Sequence, residues 1–195
     1  MTCTDPTRGS GRSGYGARMM KNYTIRAEPT GHVYQALLGL SLQHCETFIL
    51  VVGSERLLER PGRDVLERLS PLVITRSEEQ EWPGTKLIGG PTSTVWRFKL
   101  SDEAVGVLTS ACDGLYDWVE PRLPEDPCLL RADGIPWLVT IAHERDAYMR
   151  LSETERAIVR QTLRDLVLSE EPAVPAGQAA KMPVSRYARS TTARP

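Results

Sequence analysis

The sequence predicts an α+β fold: one domain with a mixed β-sheet and helices mainly on one face. Three observations predict it. Strand-like and helix-like segments alternate at first but do not keep a regular βαβ rhythm. A strong turn dipeptide, Asp133-Gly134, joins two apolar runs and so reads as a hairpin rather than a parallel crossover. Ser152-x-x-Glu155 is a capping box that opens a last helix directly after that hairpin region.

The elements follow in order. Residues 22–27 (NYTIRA) alternate polar and apolar and read as a strand. Pro29, Thr30 and Gly31 break the chain. Residues 32–44 place Val33, Ala36, Leu37 and Leu40 on one helical face. Residues 46–52 (ETFILVV) are a continuous apolar run, the signature of a strand buried on both faces. Residues 54–69 have helical periodicity at Leu57, Leu58, Val65, Leu66 and Leu69, and Pro61-Gly62 predicts an interruption into two pieces or a kink. Residues 72–75 are a short strand. Residues 78–91 read as a loop. In residues 92–100 (TSTVWRFKL), Trp96, Phe98 and Leu100 are the favoured inward set, with Val95 competing from the opposite parity.

Ser101 followed by Asp102 and Glu103 is a good helix start, a hydroxyl cap with acids near the positive end of the dipole. Spacing of three and four through Val105, Leu108, Cys112, Leu115 and Val119 predicts a helix running to about Val119. Pro121 and Pro124 close it. Residues 128–130 and 137–142 form the predicted hairpin. The final helix is expected over 153–168, burying Ile158, Val159, Leu163, Leu166 and Val167. Residues 1–21 and 172–195 are expected to be disordered tails flanking a single domain at 22–171, because they offer little to bury.

Charge is unevenly distributed. Residues 1–21 carry Arg8, Arg12, Arg18 and Lys21 against Asp5, a net +3; residues 172–195 carry Lys181, Arg186, Arg189 and Arg194 with no acid, a net +4. The whole chain is −1, which leaves −8 for residues 22–171. An acidic domain argues against a folded nucleic-acid platform and leaves only the tails for such contact. The longest clearly apolar run, residues 48–52, is far short of the roughly 20 residues a spanning helix needs. The N-terminus has no apolar signal segment, and the four cysteines are scattered without CxxC spacing. These features predict a cytoplasmic protein with reduced thiols, no membrane contact and no cofactor.

Two sets of residues are candidates for function. Asp113, Asp117 and Glu120 fall at i, i+4 and i+7 and, on a helix reaching Val119, would share one face. With Trp118 beside them and Glu125 and Asp126 just beyond, they make an acidic set suited to a basic protein partner. His143-Glu144, at the end of an apolar strand, is the best-placed acid–base pair, although the same residues also suit a solvated strand exit. His44, Cys45, Cys112, Cys128 and His143 lack the short spacing of a zinc module, so no metal site is predicted. Residues 84–92 (GTKLIGGPT) have glycines at P-loop spacing, but Gly90 stands where the essential lysine belongs. The expectation is a non-catalytic interaction protein, of inhibitor or immunity type, using the acidic face. The alternative is a small hydrolase or transferase using His143 and Glu144.

Overall fold

A computed structural model of the chain describes residues 19–170. The expected tails lie almost entirely outside them. The described residues form one α+β domain around an eight-stranded sheet. In chain order the elements are β1 (Lys21–Ile25), α1 (Gly31–Ser41), β2 (Thr47–Val52), α2 (Arg60–Leu69), β3 (Val73–Glu79), β4 (Glu81–Trp82), β5 (Thr85–Lys86), β6 (Ser93–Lys99), α3 (Asp102–Ala111), β7 (Glu125–Leu130), β8 (Pro136–Ile141), β9 (Asp146–Leu151), α4 (Glu153–Thr162) and β10 (Leu168–Glu170). The sheet order is β10-β1-β9-β8-β7-β2-β6-β3. Every ladder described in it is antiparallel, which narrows the expected mixed sheet. β4 and β5 pair only with each other. No helix among the described residues is long and apolar enough to cross a membrane.

The sheet has two unequal faces. Residues of all four helices contribute to the large core, with Phe48 and Leu50 of β2, Phe98 of β6 and Met149 of β9 beneath them. The other face carries a small core of Ile49, Val51, Trp82, Val95, Cys128, Leu130 and Val139. This explains the unbroken apolar run of β2: alternate residues serve opposite cores, each fully buried side chain contributing about 1.5–3 kcal/mol. It also explains why both parities of β6 looked buried. Phe98 and Leu100 belong to the large core with Trp96 packed against it, while Val95 belongs to the small one.

Local signals placed the starts of α3 and α4, whereas α2 begins at Arg60 and not at residue 54. Ser101 Oγ accepts the Ala104 N–H, as its sequence context predicts. Ser152 and Glu155 make the full reciprocal capping box. Pro61 starts α2 rather than interrupting it, since the first turn needs no N–H from that position.

Helix ends and short strands departed from expectation. α3 stops at Ala111, not Val119. Cys112 is extended, and the following chain is drawn away by the Gly31 N–H, which donates to the Asp113 carbonyl at 2.8 Å, and by a Thr30–Gly114 bridge. A short 3-10 turn, Leu115–Asp117, replaces the last expected turns. α4 likewise ends at Thr162; residues 168–170 form β10 against β1, and Val167, expected inside, is 54% exposed. β9, unexpected from the sequence, continues the hairpin into a three-stranded meander.

Candidate functional site

The early end of α3 redistributes the acidic set. Asp113, Asp117 and Glu120 do not form a helical stripe, because no helix carries them. Asp113 and Asp117 are exposed. Trp118 is fully buried, and its indole N–H donates to the Tyr34 hydroxyl at 2.9 Å. Glu120 is half-buried, and its Oε1 accepts the Gly53 N–H at 2.7 Å. Glu125 and Asp126 are buried in β7.

Asp126 is the most constrained of them. It is 0% exposed and holds a left-handed backbone, φ 53°, which few non-glycine residues adopt. Its Oδ2 accepts the Trp82 indole N–H at 3.0 Å and the Thr85 hydroxyl at 3.3 Å; its Oδ1 accepts the Ala142 N–H at 2.9 Å. Burial pushes its carboxyl above the usual range, against the pull of these donors and of His143. His143 lies in the 3-10 turn Ala142–Glu144 that follows β8. Its Nδ1 is 3.9 Å from Asp126 Oδ1, and its Nε2 is 3.8 Å from Glu144 Oε1. The imidazole thus stands between a buried and an exposed carboxylate, with 16% of the side chain accessible.

The two 3-10 turns meet and form an acidic corner. Glu28, in the loop after β1, is its hub. Glu28 Oε1 accepts the Tyr116 N–H at 3.1 Å, and Oε2 pairs with the Arg145 guanidinium. That guanidinium lies 5.4 Å from the centre of the Tyr116 ring. A Cβ on Gly114 would sit 2.7 Å from Glu28 Oε1 and 3.2 Å from Asp117 Oδ2, so a larger residue there would push these carboxylates aside. Asp113 is held at the same place by its carbonyl bond to Gly31. Burial pushes the Tyr116 hydroxyl up to about 12, and the Asp146 and Glu28 carboxylates add to that rise. Arg145 has φ 53°, a second left-handed non-glycine residue beside the turn. Glu28, Tyr116, Arg145 and Asp146 carry no periodic or motif signal. They become neighbours only through the fold.

The remaining sequence candidates are dispersed. His44 stacks on Trp137 with ring centres 5.3 Å apart, and its Nδ1 is 3.7 Å from Glu155 Oε1. Cys45 belongs to the large core and Cys128 to the small one, whereas Cys112 contacts the Tyr34 hydroxyl. Among the described residues no group of three or more His, Cys, Asp or Glu side chains is arranged to hold a metal. Residues 84–92 run from the β4–β5 hairpin back to β6, with no helix following. A groove of about 370 Å³ beside α2 is lined by Leu58, Leu66 and Trp96. On its rim Arg63 donates to the Leu58 carbonyl, and Glu55 pairs at 2.5 Å with Arg76, which lies over Trp96. Comparison with protein-family models, with curated proteins and with solved structures finds no significant match for this chain.

Proposed function

We propose that this chain is a non-catalytic cytoplasmic interaction protein that binds a basic protein partner, in the manner of an inhibitor or immunity protein. Its binding surface is the corner formed by Glu28, Asp113, Asp117 and Asp146 around Tyr116, with Glu144 on the adjoining turn. The observation that carries this reading is the convergence of carboxylates from three separate stretches of chain on one corner, with Arg145 as the basic residue paired to Glu28 among them. Such a concentration of one sign steers a basic surface into contact and raises the association rate. Trp118, Glu125 and Asp126 are buried and so lie out of the partner's reach.

Affinity capture with the full chain tests this. Wild type should retain a basic protein at about 0.05 M salt and release it at about 0.5 M, where the Debye length falls to a few ångströms. D113K/D117K should lose the same protein, while E46K/E59K, an equal charge change elsewhere, should keep it. Equal retention by all three forms rejects the corner as the binding surface.

A second reading, a small hydrolase or transferase, is favoured by the placement of His143 between Asp126 and Glu144. There the imidazole would exchange a proton with substrate and Glu144 would stabilise the charged ring. In a screen of simple ester, amide and phosphoester substrates, this reading requires a turnover that His143→Gln abolishes in a protein of unchanged stability.

A further inference from the structure

We infer that residues 80–92 form a strap that opens as a unit over Cys128, pinned shut by Asp126, while the rest of the domain stays folded. The strap is an excursion between β3 and β6, and its own strands join no other strand. It is bonded within itself: Leu87 N–H donates to the Gln80 carbonyl at 2.8 Å, Gln80 Nε2 to the Gly90 carbonyl at 3.1 Å, and Lys86 Nζ to Glu81 at 2.7 Å. It can therefore move without first losing its shape.

Its polar anchorage on the sheet is concentrated. The Trp82 indole and the Thr85 hydroxyl both donate to one atom, Asp126 Oδ2. The Cys128 thiol adds a weak contact to the Pro83 carbonyl at 3.7 Å. Gly84, with φ +87°, lies so close to β8 that a Cβ would meet Val139 Cγ1 at 2.7 Å. The apolar anchorage is the small core, in which Trp82 is the strap's buried member and Leu87 a partly buried one. Lifting the strap, with Thr92 and its bond to Glu78 left at the hinge, breaks the two hydrogen bonds to Asp126 and the weak Cys128–Pro83 contact and uncovers Trp82 and part of Leu87, which is far less than dismantling the large core.

What lies beneath gives the opening a consequence. Cys128 is completely buried in the small core, and burial pushes its thiol well above the usual range. Cys45 is also buried, its thiol pushed up to about 12, but it belongs to the large core. Strap opening exposes Cys128 and leaves Cys45 covered. Reactivity at Cys128 is thereby governed by a local conformational equilibrium, and the Asp126 carboxylate sets that equilibrium.

The two thiols make the test internal. The full-length protein is alkylated with iodoacetamide under native conditions, and the rates at Cys128 and Cys45 are read by peptide mass spectrometry. Each is normalised to its own rate in denaturant. In wild type, Cys128 should react at least tenfold faster than Cys45. Asp126→Asn removes the charge that strengthens both pins and sets an amide N–H against either the Trp82 and Thr85 donors at Oδ2 or the Ala142 N–H at Oδ1, and should accelerate Cys128 at least tenfold with Cys45 unchanged. Thr85→Val removes one pin without touching the buried acid, and should accelerate Cys128 by a smaller factor even if Asp126→Asn fails to fold. A single common rate for both cysteines in wild type and Thr85→Val means that Cys128 is reached only by global unfolding, and overturns the strap. A faster Cys128 that neither substitution changes overturns the role of Asp126.

Discussion

Replacing Glu155 should be among the most destabilising changes available at a charged residue of this domain. Glu155 and Arg131 are half-buried together, with side chains 12% and 13% exposed. Glu155 Oε1 accepts from Arg131 at 2.9 Å; Oε2 accepts the Ser152 N–H and the Ser152 hydroxyl, each at 2.8 Å. Arg131 also donates to the Pro136 carbonyl at 2.8 Å and the Arg150 carbonyl at 2.7 Å, so one ion pair ties the β7–β8 turn, the end of β9 and the start of α4. Glu155→Ala removes the capping box, worth about 1 kcal/mol. It also leaves Arg131 without its counterion, where breaking a buried pair costs about 3–5 kcal/mol. The two carbonyls still solvate Arg131, so the combined loss should be about 3–4 kcal/mol. Urea denaturation measures it, and Glu155→Ala/Arg131→Met should recover about half. pH gives an independent reading. Burial raises the Glu155 carboxyl, but the donors from Ser152 and Arg131 outweigh it and hold the group below its ordinary 4.5. A depressed folded-state value means stabilisation that is present above about pH 4.5 and lost as pH falls through that depressed value. Glu155→Gln should flatten this acid limb. A loss below about 1 kcal/mol for Glu155→Ala, together with an unchanged acid limb for Glu155→Gln, would refute the reasoning.

Three further outcomes are expected. His44 is held below its ordinary value by burial, against the pull of Glu155, so its contribution to stability is complete above about pH 6.5 and declines as pH falls toward the lowered value; NMR titration of the imidazole and urea midpoints between pH 7 and 5 check the direction. Trp118→Phe should cost about 1–2 kcal/mol, because the ring is kept but the Tyr34 hydroxyl loses its indole donor, whereas Trp118→Ala should cost about 3–5 kcal/mol in the same denaturation assay. D113K/D117K should change the unfolding free energy by no more than about 0.5 kcal/mol, since both side chains are exposed, so any loss of partner binding is separable from loss of fold.

What was legible in the sequence were the features whose causes are local. A hydroxyl cap at Ser101, the capping box at Ser152 and the Asp133-Gly134 turn each act over a few residues, and each occurs where the sequence indicates. The α+β class followed from such signals in series. The ends of α3 and α4 were not legible, because apolar spacing of three and four also arises where a 3-10 turn or an extended segment packs on the same core. Leu115 and Leu166 are buried as the periodicity requires, yet neither is in an α-helix. Long-range bonds decide the matter: Gly31 to Asp113 pulls the chain out of α3, and β1 captures residues 168–170. The same limit applies to the candidate site. An acidic stripe was inferred from helical spacing and dissolves with the helix, but Asp113 and Asp117 still reach a shared corner through Gly114, which admits Glu28 from a distant loop. Asp126 and His143, candidates of two different sets, become neighbours because β7 and β8 are paired and the turn after β8 folds back over β7. Two of the residues between 123 and 148 fasten other elements to this part of the sheet: Asp126 bonds Trp82 and Thr85 of the strap, and Arg131 bonds Glu155 of α4.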